Sequence, residues 1–175
     1  GIDTPRPYGP ISAGLFAELG VDPVALAHDC EDAGFYRHAG LSMGAFFDRE
    51  TFGADRLVVG LGKRPAAQLY AEAPLTERAR ADLVRLETDD RDPYPDLTAA
   101  QKKDALSRIS YRDFLLNVLN LDPTVATYYQ ARTHGEWGVG IDAVAALDLW
   151  GFDFPGFQGM KLPPGSIGRM GYTPA

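Results

Sequence analysis

Cysteine is almost absent from this sequence of 175 residues, in which Cys30 is the only one. A single cysteine excludes an intrachain disulfide and any metal site built on several thiolates. Histidine is scarce as well, and the three histidines show no i, i+4 spacing that would set two imidazoles on one helix face. The acidic run from Asp89 to Asp96 lacks the central glycine and the closing Glu of a calcium-binding loop. We therefore expect no metal site in this chain.

Basic residues are outnumbered by acidic ones, 17 against 24, so the formal net charge is −7. A protein that binds nucleic acid non-specifically needs a basic surface, and this balance argues against that class. The acidic balance is compatible with a cationic substrate, although it is also common on proteins that have none.

Long hydrophobic runs are missing too. No apolar run approaches the ~18 residues that a membrane-spanning helix needs, so we predict no membrane span. No secretory signal is visible, but the chain starts with Gly1 instead of Met, which leaves a removed leader open. The length suits one domain, and we expect residues 1–175 to form a single segment.

Glycine is absent between Lys63 and His134, whereas nine of the 19 glycines lie from Gly135 to Gly171. Because glycine weakens helices and favours turns, we expect a helical middle and a more irregular last part. Proline is concentrated in the two ends. We predict that residues 1–10 and 154–175 are irregular, either disordered or laid across a partner surface.

Helix starts are marked by capping residues. Asp22 and Asp122 each precede a proline, which combines an N-cap with the residue favoured at the first helical position. Thr98 and Gln101 have the spacing of a capping box. Residues 11–19 are predicted to be helical up to Gly20. Two apolar stripes at helical spacing predict buried faces; they are Leu75, Ala79, Leu83, Leu86 and Tyr111, Phe114, Leu115, Val118, Leu119.

Strand signals are few. Residues 45–47 are apolar, residues 56–59 are apolar after Arg56, and both ranges flank residues 48–55, which are typical of a connecting loop, so we predict a short hairpin. Two strands alone are marginally stable, and we expect them to pair with a sheet supplied by other segments. The predicted fold class is α+β and mainly helical.

The stretch from Thr133 to Ala143 is the densest in chemically useful residues. His134, Glu136 and Trp137 lie beside three glycines, which permit close approach of the backbone to another surface. We predict that this turn lines a site, with His134, Glu136, Trp137 and the nearby Tyr128 contacting a substrate. The competing interpretation is that Trp137 packs in the core and that the acidic residues cap or solvate helix ends.

Residues 138–143 match the pattern G-x-G-x-x-A of dinucleotide-binding turns. That motif needs a buried strand before it, whereas residues 128–137 are polar and helical in pattern. A tight turn leading into a helix is therefore favoured over a nucleotide site. The helix start still offers free N–H groups, so Gly138, Gly140 and Asp142 are candidates for contact with a cofactor oxygen.

Five stretches of the chain are found in the same order as in one known family. They are Ser12–Asp22, Gly44–Gly53, Ile109–Leu115, Arg132–Ala146 and Pro155–Met160. Together they resemble the bacterial spermidine dehydrogenase-like flavoproteins, which are relatives of the flavin-containing amine oxidases. The resemblance covers nearly the whole chain but only the middle segment of the family.

The resemblance implies a fragment of a flavin amine oxidase-like fold, namely its substrate-domain part, with a few short strands that pair with missing segments. The complete enzyme would oxidise a C–N bond of a small amine by hydride transfer to FAD, which is bound mostly by segments absent here. The partners would be the remaining segments or subunits of the same flavoprotein. A haem is implied by the resemblance only, and no catalytic residue carries over by position.

Two other classes stay open from the sequence. One is a non-catalytic binding or regulatory subunit that docks on a flavoprotein, and the other is a helical interaction domain. The chain alone is not expected to be active in any of these cases. For a bacterial protein of this kind, both the periplasm and the cytoplasm remain open.

Overall fold

The computed structural model describes residues 8–30 and 34–164, which belong to two units that we describe separately. The first unit, residues 1–42, contains helices α1 (Pro10–Glu18), α2 (Pro23–Cys30) and α3 (Phe35–His38). Gly20 follows α1 with a φ of 66°, and Asp22 Oδ1 accepts a hydrogen bond of 2.8 Å from the backbone N–H of Val24. The two helices predicted in this unit are therefore confirmed. Residues 1–7 and 165–175 of the predicted irregular ends lie outside the described residues.

The second unit, residues 43–175, contains a two-stranded antiparallel sheet and a set of mostly short helices. In chain order the elements are β1 (Gly44–Phe47), α4 (Arg49–Phe52), β2 (Arg56–Val59), α5 (Ala66–Ala71), α6 (Glu77–Thr88), α7 (Ala99–Ser107), α8 (Tyr111–Asp113), a π-helical turn (Phe114–Val118), α9 (Pro123–Tyr129), α10 (His134–Trp137), α11 (Ala146–Gly151) and a 3-10 turn (Gln158–Met160). The described chain is thus mainly helical with one short sheet, as the predicted α+β class requires.

The hairpin of β1 and β2 is confirmed, with Gly44 opposite Val59 and Phe47 opposite Arg56. One face is buried through Ala45, Phe47 and Val58, and the Phe47 ring stacks on Tyr128 of α9 with centroids 5.4 Å apart. The other face is apolar but exposed, with Phe46 at 64% and Leu57 at 60%.

The segment between the strands corrects the prediction of a plain connecting loop, because residues 49–52 form the one-turn helix α4. Asp48 Oδ1 accepts a hydrogen bond of 2.8 Å from the backbone N–H of Thr51, which caps the turn. Gly53 then takes a φ of 81° and ends it. These side-chain and glycine signals are local, and four helical residues are too few to give an apolar periodicity.

Caps and apolar stripes place the longer helices as predicted. The Thr98–Gln101 capping box is present at α7, and Asp122 caps α9 by accepting from the Thr124 N–H at 2.9 Å. Helix α6 buries Ala79, Leu83 and Leu86, and it packs on α5. The fourth member of this stripe, Leu75, precedes the helix and is half-buried.

The second stripe is buried as predicted in its first part. Phe114 and Leu115 are fully buried, whereas Val118 and Leu119 are half-buried against the core. The backbone departs from the expected α-helix, because residues 114–118 form a π-helical turn. Two residues after this wider turn, Asn120 has a φ of 51°, and the Leu121 N–H donates to Leu115 O at 3.0 Å. A single π-helical turn of five residues is too short to show a period of its own, so the sequence pattern does not reveal it.

The core of the second unit is aromatic. Trp150, Tyr70, Tyr111 and Phe114 are among its largest fully buried side chains, and Phe114 stacks on Phe157 with centroids 4.7 Å apart. Downstream of α11, three more side chains are buried on this core: Phe157, Met160 and Leu162. Within residues 8–30 and 34–164, no helix has the length and apolar character needed to cross a membrane.

Candidate functional site

The predicted site turn begins with α10, whose residues 134–137 follow the buried Thr133. The Thr133 hydroxyl donates to Val139 O at 2.7 Å, and Gly138 ends the helix with a φ of 69°. These two features close the turn on itself. His134 and Glu136 are exposed on its outer side.

Gly140 and Asp142 have local partners in this turn. Gln130 Nε2 donates to Asp142 Oδ1 at 2.5 Å, and this hydrogen bond holds the pKa of the Asp142 carboxyl below its usual range. A Cβ atom on Gly140 would lie 2.0 Å from the same Gln130 nitrogen. The glycine therefore leaves room for the Gln130–Asp142 bridge. Contact of Gly138, Gly140 and Asp142 with a cofactor stays a prediction.

Trp137 is half-buried and meets the Phe152 ring edge-to-face, with centroids 4.6 Å apart. Phe152 in turn lines a cleft of about 400 Å³ in the second unit. Trp137 thus contacts a residue that lines the cleft but does not itself line it. Its predicted contact with a substrate stays a prediction.

The cleft combines an apolar wall with charged groups. Its lining is formed by Met43, Leu61, Gly62, Tyr129, Phe152, Phe154 and Pro155 together with the charged Glu87, Arg132 and Asp153. None of the seven site residues predicted from the sequence is among them. Tyr128 lines a neighbouring cleft of about 440 Å³, which shares Arg132 with the first. A small organic molecule fits a cleft of either size.

Glu87 is held in place by a buried tyrosine. It is the penultimate residue of α6, and the fully buried Tyr70 of α5 donates its hydroxyl proton to Glu87 Oε1. Burial raises the pKa of Tyr70 well above its ordinary value, so this hydroxyl stays a donor at neutral pH. A donor of this kind fixes the carboxylate of Glu87 at the edge of the cleft.

Two adjacent tyrosines position Arg132. The guanidinium carbon lies 4.6 Å from the centroid of the Tyr128 ring and 5.0 Å from that of Tyr129, and Nη2 donates to the Tyr128 hydroxyl at 2.6 Å. Cation–π contacts and a hydrogen bond together orient an otherwise flexible side chain. Burial raises the pKa of Tyr129, which therefore faces the cleft as a neutral ring.

The charged residues of the cleft were missed from the sequence. Arg132 follows Tyr128 by four residues and Tyr129 by three, which is helical spacing, and this was the one available signal. Glu87 gives no such signal, because it meets Tyr70 through the packing of α5 on α6. Asp153 has a φ of 58°, and this left-handed backbone conformation is not predictable from the sequence.

Metal binding has no support in the part of the chain that is described. Between residues 8 and 30 and between 34 and 164, no three His, Cys, Asp or Glu side chains are grouped so as to hold an ion.

Comparison with known proteins adds no family assignment. No protein-family model and no curated protein sequence matches the chain significantly. The geometry of the cleft and the sequence resemblance are the grounds for a functional proposal.

Proposed function

We propose that this chain is the substrate-binding part of a flavin-dependent amine oxidoreductase that oxidises a C–N bond of a small amine. The observation that carries the proposal is the cleft, whose lining combines the acidic Glu87 and Asp153 with the aromatic Tyr129, Phe152 and Phe154. An ammonium group is attracted both by carboxylates and by the faces of aromatic rings. The five ordered stretches that resemble the spermidine dehydrogenase-like flavoproteins support the same function.

The chain's own contribution would be to bind and orient the amine. Glu87, fixed by the Tyr70 hydroxyl, is placed to pair with the ammonium, while the aromatic wall excludes water from the carbon chain. Oxidation requires the amine in its neutral form, so the pairing with Glu87 serves to capture and orient the ammonium before its proton is lost.

FAD would be held by other segments of the complete enzyme. In the described residues, the segment 138–143 follows helix α10 and not a strand, so it does not form the strand–glycine–helix unit of a dinucleotide site. This chain therefore does not fit FAD through that motif. The exposed apolar face of the hairpin is consistent with neighbouring segments that pack against it.

Replacing Glu87 tests the cleft as an amine site. We expect phenethylamine to bind the purified chain weakly and to shift the amide resonances of Phe152 and Phe154. Glu87→Gln removes the charge but keeps the shape, and it should weaken this binding about fivefold, as expected for a partly exposed ion pair. NMR titration of the ¹⁵N-labelled protein measures the effect.

The matched control is Glu136→Gln, which removes the exposed carboxylate predicted from the sequence to attract the amine. Its affinity for phenethylamine should equal that of the unchanged chain. If Glu136→Gln weakens the binding of phenethylamine and Glu87→Gln does not, the amine site lies at the turn of residues 133–143 and not in the cleft. If millimolar phenethylamine shifts no amide resonance of the cleft residues, the proposal is refuted.

The absence of a fitting flavin motif gives a second prediction. Residues 1–175 alone should not bind FAD tightly, and flavin fluorescence should stay unquenched when the chain is added at micromolar concentration. Stoichiometric quenching by the chain alone would contradict the assignment of the flavin to other segments.

The alternative of a non-catalytic binding or regulatory subunit is favoured by one observation, the exposed apolar face of the hairpin formed by Phe46, Leu57 and Val59. Such a subunit would dock on a flavoprotein through this face and would have no need of an amine site. The phenethylamine titration separates the two functions, because a docking subunit would show no Glu87-dependent binding.

A further inference from the structure

Arg132 carries a charge that no carboxylate of the described chain neutralises. Within residues 8–30 and 34–164, ion pairs shorter than 4.0 Å are formed by other arginines, such as Arg64 with Glu72 and Arg108 with Asp104, but none includes Arg132. Its hydrogen bond goes to the neutral Tyr128 hydroxyl. A guanidinium has five N–H donors, so most of its donor capacity is available to a ligand in the cleft that it lines.

The guanidinium is oriented as well as available. It is stacked on the Tyr128 and Tyr129 rings at 4.6 and 5.0 Å, and Tyr128 is itself fixed by stacking on Phe47 of the hairpin. A planar, pre-oriented fork of this kind binds a carboxylate or a phosphate through two parallel hydrogen bonds. The ordering of the side chain, which normally opposes such binding, has already occurred in the free protein.

The other charges of the cleft decide between these two anions. Glu87 and Asp153 line the same cleft as Arg132. A phosphate carries up to two negative charges and would be repelled by the Glu87 carboxylate more strongly than a ligand carboxylate, which carries one. A singly charged acid that also bears an ammonium complements the Arg132 guanidinium and the Glu87 carboxylate.

We propose that the ligand of this cleft is an amino acid-like zwitterion, whose carboxylate binds Arg132 while its ammonium binds Glu87. This inference rests on the proposed function, because it narrows the substrate class of the same cleft from small amines to amino carboxylates. Arg132 is then a specificity-determining residue, since it distinguishes ligands by a group that is not oxidised.

Three ligands that differ only in their charged groups test this inference. L-Phenylalanine carries both groups, phenethylamine lacks the carboxylate, and 3-phenylpropionate lacks the ammonium. Each is titrated into the ¹⁵N-labelled chain of residues 1–175, and the dissociation constant is read from the shifts of cleft residues. We expect phenylalanine to bind about tenfold more tightly than either of the others, because each lost ion pair removes a charge-assisted hydrogen bond.

Variants of Arg132 assign this preference to one side chain. Arg132→Gln should abolish the tenfold advantage of phenylalanine over phenethylamine. Arg132→Lys keeps the charge but loses the planar fork, so it should retain only part of the advantage. Arg108→Gln is the control, because Arg108 pairs with Asp104 and lies outside the cleft lining, and it should leave all three affinities unchanged.

The failure of this inference is distinguishable from that of the proposed function. If phenethylamine binds as tightly as phenylalanine, or if the advantage of phenylalanine survives Arg132→Gln, the carboxylate subsite is refuted while the amine site stands. If 3-phenylpropionate binds through Arg132 as tightly as phenylalanine and neither amine depends on Glu87, both the zwitterion and the amine site are refuted. Unchanged amide spectra of the variants show that each is folded.

Discussion

Leu115→Ala is expected to lower the free energy of unfolding by about 2–5 kcal/mol. Leu115 is fully buried at the start of the π-helical turn, and its carbonyl oxygen accepts the hydrogen bond from Leu121 that closes this turn. Truncation leaves a cavity between the turn and the aromatic core, because the surrounding rings relax only partly. Urea unfolding followed by circular dichroism measures the change.

The control for this variant is Leu57→Ala, which removes the same atoms from a side chain that is 60% exposed on the hairpin. It should change the free energy of unfolding by less than about 0.5 kcal/mol, as surface substitutions usually do. A loss below about 0.5 kcal/mol for Leu115→Ala as well would place this stripe in solvent and contradict the described core.

Gly159→Ala is expected to cost about 1–3 kcal/mol or more, because the new methyl group has no space. A Cβ atom at this position would lie 2.2 Å from the carbonyl oxygen of Arg91 and 2.3 Å from that of Asp90. Both are backbone atoms, so relief requires the 3-10 turn and the loop after α6 to move apart. If the neighbouring atoms belonged to a side chain, that side chain could change its rotamer and relieve the overlap more easily.

The displacement caused by Gly159→Ala is expected to extend to the cleft. Gln158 Nε2 donates to the carbonyl oxygens of Leu86 and Glu87 at 3.2 and 3.1 Å, which ties the 3-10 turn to the last turn of α6. Gly159→Ala should therefore also shift the amide resonances of Glu87. Gly135→Ala is the control, since its Cβ meets nothing within 4 Å and lies in a helix, where alanine is favoured. Equal stability of the two variants would contradict the described packing.

The features that were predictable from the sequence are those whose causes are local. The Thr98 capping box and the caps at Asp22 and Asp122 join residues two or three positions apart. The hairpin follows from two short strand-like runs that flank a polar connection. In each case the residue type, the hydrogen bond and the element lie within one short window, and a single sequence is enough to recognise them.

The cleft was not predictable, because its charged groups come together through packing. Glu87 depends on Tyr70 from a preceding helix, and Phe152 follows α11, whose position depends on the aromatic core. The high density of glycine around Trp137 predicted a site at the turn of residues 133–143. The structure explains one of those glycines, Gly140, by close approach to the Gln130 side chain. Glycine density therefore indicated tight packing near the cleft without identifying its lining.

The two tryptophans give the chain a built-in optical probe. Trp150 is fully buried, whereas Trp137 is half-buried and touches Phe152 at the wall of the cleft. Trp137 should therefore emit at longer wavelength and respond to a soluble quencher such as acrylamide, while Trp150 is shielded from it. A molecule that enters the cleft and moves Phe152 changes the surroundings of Trp137, whose ring contacts Phe152. Occupancy of the cleft thus becomes readable by intrinsic fluorescence, without a label and without knowledge of the natural ligand.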